Sequence, residues 1–177
     1  MNQLADALDA AGFTTDDVTK MRQYKELVKI KQILLGHAEI KMIEHLIDCD
    51  ANPFVPNGLE VSDHKRCGQF KWNPDNILLY LSKHQKKGSV EGNKLRKELA
   101  NKDVLNANVL DYLLAHPELI PEEWKGKLIF FWGTIYRDSD GRLYVRYLRW
   151  GGSRWNSGYG WLDNGFYSGN PAASHAS

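Results

Sequence analysis

Residues 124–167 read WKGKLIFFWGTIYRDSDGRLYVRYLRWGGSRWNSGYGWLDNGFY and hold five of the six tryptophans. Aromatic and β-branched residues fill the stretch. It breaks at Asp138-Ser139-Asp140-Gly141 and again at Gly151-Gly152-Ser153, both of hairpin-turn composition. The pattern predicts an antiparallel β-ribbon of about three strands over residues 127–137, 142–150 and 154–163. In the first strand, period two puts Leu128, Phe130, Trp132, Thr134 and Tyr136 on one face and Ile129, Phe131, Gly133 and Ile135 on the other. Both faces are apolar, so this strand is expected to be central and covered on both sides.

The second and third strands differ. Tyr144, Arg146 and Trp150 alternate cation and aromatic, and Arg149, Arg154 and Trp155 lie beside them. Residues 125–177 carry seven Lys or Arg against three Asp, although the whole chain has a net charge of only +1. Such a face suits single-stranded nucleic acid, with bases on rings and arginines on phosphates. It equally suits a glycan, whose apolar ring face packs on an aromatic side chain while Asp163 or Asn164 meets hydroxyls. A third reading makes the rings core, with arginines lying over them as cation–π lids.

Before the ribbon the spacing is helical. Leu4, Ala5, Leu8 and Ala11 share one face ahead of Gly12, and a longer helix starts at Thr14 or Thr15, runs through Val18, Met21, Tyr24 and Leu27, and ends near Leu35. A helix-turn-helix reading is opposed by charge, since five cations and five carboxylates cancel in residues 1–36. Asn73-Pro74 predicts a helix through Ile77, Leu78, Tyr80 and Leu81. Further helices are expected from Asn93 and over residues 104–114, and a helical turn at Pro121. Residues 168–177 are small and polar and are expected to fray.

Residues 37–72 form an irregular loop in this reading. His45, Cys49, His64 and Cys67 have spacings that a tetrahedral zinc site uses, although ordinary histidines and thiols are the favoured reading and no cofactor is required. Cysteine catalysis is disfavoured, because Asp48 and Asp50 flank Cys49 and would raise its pKa. Glu44, Asp48, Asp50 and Asp163 are the candidate acids for a hydrolase or glycan-active enzyme.

The phrases EHLIDCDANPFVPNG, EGNKLRKELA, VLNANVLDYLLAHPELIPEEWKGK and FFWGTIYRDSDGRLYVRYL resemble a family of hypothetical bacterial proteins met mainly in candidate-phylum genomes. The resemblance covers most of residues 12–173. It implies no activity, cofactor or site residue.

The expected fold is α+β: a mainly helical part, residues 1–123, packed in the same compact domain on the ribbon of residues 124–167. Hydrophobic content of 42% over 177 residues is enough to bury a core. No run approaches the ~18 apolar residues of a membrane span, and MNQLADALDA lacks a basic, apolar leader, so a cytoplasmic chain is expected. The first function expected is a binding protein that contacts single-stranded nucleic acid. The alternatives are the glycan-active enzyme and a protein-interaction module of open oligomeric state.

Overall fold

The computed structural model describes residues 3–23, 27–39 and 43–176. It divides into two compact units, Met1–Ile43 and Glu44–Ser177. Among the described residues the first unit has three short helices, α1 (Gln3–Ala10), α2 (Thr15–Gln23) and α3 (Leu27–Leu34), none of which buries a residue. Thr14 caps α2. Its hydroxyl accepts from the Asp17 amide, and the Asp17 carboxylate accepts from the Thr14 amide at 2.9 Å. Tyr24, expected on this helical face, lies outside the described residues.

The second unit is α+β. Its elements are β1 (Leu46–Asp48), β2 (Leu59–His64), β3 (Gln69–Lys71), β4 (Ile77–Tyr80), α4 (Lys83–Lys87), β5 (Ser89–Glu91), α5 (Gly92–Leu99) and α6 (Ala107–Ala115). They are followed by β6 (Ile129–Asp138), β7 (Leu143–Trp150), β8 (Trp155–Trp161), β9 (Gly165–Tyr167) and β10 (Ala172–His175). The three ribbon strands form as β6, β7 and β8, but they belong to a six-stranded sheet. Its order is β4-β10-β6-β7-β8, with β2 also on β6. β10 runs parallel to β6 near Phe130, and β2 takes over the same edge from Thr134 to Asp138. The pairs β1–β3 and β5–β9 make two small separate ladders.

Three stretches depart from expectation. The predicted helix after Asn73 is a single 3-10 turn followed by β4. Asn73 does cap, its side chain accepting from the Asp75 amide, but Ile77–Tyr80 then extends and pairs with β10. Residues 168–176, in the tail expected to fray, are held in place, because Ala172, Ala173 and Ser174 are buried between β4 and β6. The expected irregular loop of residues 37–72 contributes β1, β2 and β3.

β6 is apolar and buried from Ile129 to Tyr136, as its two-sided pattern predicts. Its face assignment, however, changes midway. Phe130 pairs with Tyr147, but the next partners are Ile135 and Val145, so β6 advances five residues where β7 advances two. This bulge swaps the faces beyond it. Ile129 and Phe131 join the core beneath α6 with Val109, Leu110, Leu113, Leu148, Trp72 and Trp124. Phe130 and Trp132, and then Ile135, join the core beneath α5 with Leu95, Leu99, Val145, Leu162 and Phe166. α6 is too short to persist alone. Its buried face, worth roughly 1.5–3 kcal/mol for each fully buried leucine, holds it on the sheet. Asn106 caps its start by accepting from the Asn108 amide, and it stops before Pro117. Among the described residues no helix is long and apolar enough to cross a membrane.

Candidate binding groove

The glycine turn after β7 puts Trp150 directly opposite Trp155 in the β7–β8 ladder. Their rings meet edge to face, with centroids 5.5 Å apart and planes at 64°. Two 3-10 turns, Pro117–Leu119 and Glu122–Trp124, carry Glu118, Glu122 and then Lys125 to the same place. The result is a groove of about 510 Å³, within the usual range of ligand sites, which Leu114, Pro117, Ser153 and Arg154 also line. Lys125 Nζ lies 4.2 Å from the Trp150 ring centroid and 2.5 Å from the Glu122 carboxylate. The groove thus sets two aromatic walls among two cations and two carboxylates.

Of the six residues predicted to bind, Trp150, Arg154 and Trp155 come together here. Arg146 does not. It is 3% exposed and forms a bidentate pair with Asp111 of α6, at 2.7 and 2.9 Å, with its guanidinium over Phe54. Burial alone would lower its pKa, but the Asp111 carboxylate more than offsets this and holds it charged. Tyr144 sits at the far end of β7, donating to Asp138 at 3.0 Å and packing edge to face on Tyr159. Arg149 is exposed, on the face of β7 opposite Trp150.

Each candidate acid already has a hydrogen-bond or ion-pair partner. Glu44 pairs with Lys71, Asp48 accepts from the Asp50 amide, Asp50 accepts from the Gly68 amide, and Asp163 accepts from Asn93. The zinc set divides. His45 bonds the Tyr112 hydroxyl at 2.9 Å, with His116 beside both rings. Among the described residues no three His, Cys, Asp or Glu side chains converge on a point that suits a metal.

His64 and Cys49 enter a polar knot at the β6 bulge. The Cys49 carbonyl accepts from His64 Nε2 (3.2 Å) and from Asn106 Nδ2 (3.0 Å). A carbonyl only accepts, so Nε2 carries a proton, while Nδ1 meets the Thr134 hydroxyl at 2.8 Å. Thr134 Oγ1 in turn accepts from the Ala107 amide. Gly133 completes the knot: its amide donates to Leu105 and its carbonyl accepts from Lys65. Glu118, Glu122, Lys125, Asn106, Thr134 and Tyr112 were not singled out from sequence. The proline pair Pro117 and Pro121, which sets the two 3-10 turns, was the available signal for the first three.

No protein-family model matches the chain, and no curated protein or solved structure was found that matches it.

Proposed function

We propose that the protein is a non-enzymatic binding protein whose Trp150–Trp155 groove takes a neutral glycan. The observation that carries this reading is the pair of tryptophans set edge to face in one groove with Glu118, Glu122, Lys125 and Arg154. Ring faces cover the apolar side of a sugar, and mixed carboxylates and cations supply both acceptors and donors for its hydroxyls. A phosphate backbone is served less well. Arg146 faces Asp111, Arg149 lies on the other face, and the two glutamates in the groove oppose an anionic strand. The partners that already engage Glu44, Asp48, Asp50 and Asp163 favour binding over acid–base hydrolysis.

Tryptophan fluorescence titrated with a panel of neutral oligosaccharides tests the proposal. Saturable quenching that is indifferent to salt and lost in Trp150→Ala supports it. Silence across the panel, with salt-dependent binding of single-stranded oligonucleotides, would transfer the groove to nucleic acid.

A further inference from the structure

The two cysteines lie beside each other, independently of the groove. The β1–β3 ladder extends past Asp48 and Gln69 by a hydrogen bond of 3.0 Å from the Cys49 amide to the Gly68 carbonyl. Gly68 takes a left-handed φ of +72°, which glycine adopts without strain, immediately after Cys67. The bond from Cys49 to Gly68 sets the two cysteines one residue apart across the ladder. Both are free, and they differ sharply in access: Cys49 is 0% exposed, whereas Cys67 is exposed. Cys67 opens on a pocket of about 210 Å³ that Lys65, Phe70 and His175 also line.

We propose that Cys49 and Cys67 form a dithiol redox site that is oxidised by a low-molecular-weight disulfide. The exposed Cys67 thiolate attacks one sulfur of the small disulfide, forming a mixed disulfide and expelling one small thiolate, which takes up the proton Cys67 lost. Cys49 then attacks the Cys67 sulfur. The Cys49–Cys67 bond forms, the second small thiol leaves, and it takes the Cys49 proton. Two protein thiols are oxidised and one small disulfide is reduced to two thiols. Access fixes the order, since of the two only Cys67 meets solvent, while the backbone bond from the Cys49 amide to Gly68 keeps Cys49 beside it for the second step. The product ties Cys67 to the backbone of Cys49, whose carbonyl holds His64 and Asn106.

Oxidised glutathione added to the reduced full chain tests this, read by intact mass and a non-reducing peptide map after acid quench. The expected product has lost two hydrogens and yields one crosslinked peptide pair containing Cys49 and Cys67. Cys67→Ser is expected to stay unmodified, and Cys49→Ala to stop as a single glutathione adduct on Cys67. The proposal is overturned if the unsubstituted chain keeps glutathione on Cys67 without crosslinking, forms disulfides between two chains, or retains both thiols. The map of the unsubstituted chain decides alone should either variant fold poorly.

Discussion

Arg146 and Asp111 meet through two parallel hydrogen bonds that join the middle of β7 to α6, with the Arg146 side chain only 4% exposed. A guanidinium left there without its carboxylate has no route back to water. Asp111→Ala is therefore expected to cost about 3–5 kcal/mol, the usual penalty for an orphaned buried charge. Adding Arg146→Met should restore part of that loss. Urea denaturation of both variants checks it, and a double variant no more stable than the single would contradict the account.

β10 lies between β4 and β6, and its Ala173 carbonyl accepts from the Leu105 amide. Removing residues 170–177 should abolish the near-ultraviolet circular dichroism of the second unit. Unchanged spectra would mean that the central strand is dispensable.

A Cβ on Gly133 would lie 2.9 Å from the backbone N and Cα of Asn106, atoms that α6 and the bulge fix. Gly133→Ala should destabilise by about 1–3 kcal/mol through overpacking. Gly169→Ala, where nothing lies within 4 Å, is the matched control and should melt like the parent.

The Cys49 thiol is pushed up to about 12 from an ordinary 9.0, first by burial and then by Cys67. The folded chain therefore keeps a proton that the unfolded chain releases. This contribution to stability is complete below about pH 9 and is lost as pH rises towards 12. In urea titrations of reduced protein, the stability advantage of the parent over Cys49→Ala should shrink across that window. A constant difference would show that Cys49 ionises alike in both states.

The sheet was legible where a strand announced itself locally. Residues 129–161 combine aromatic and β-branched residues with glycine-rich turns, and β6, β7 and β8 stand where that pattern puts them. β4 was misread because Ile77, Leu78, Tyr80 and Leu81 fit helical spacing behind a genuine Asn73 cap, whereas the partner that makes them a strand lies far along the chain. β10 was missed because Ala172, Ala173 and Ser174 have no apolar alternation, and their burial is imposed by neighbours on both sides. The same reason hid the polar knot. Thr134 meets His64 across 70 positions and Asn106 meets Cys49 across 57, separations at which spacing carries no signal. The groove was half legible, since Trp150, Arg154 and Trp155 share one hairpin while Glu118, Glu122 and Lys125 arrive from the 3-10 turns.

The place of β10 also has a consequence for biosynthesis. Residues 77–80 and 129–138 leave the ribosome long before the strand that separates them, so the apolar Ile77–Tyr80 edge waits without a partner throughout synthesis of the intervening chain. Closure of the sheet thus follows translation of residues 172–175, and until then a nascent chain offers that edge to chaperones and proteases.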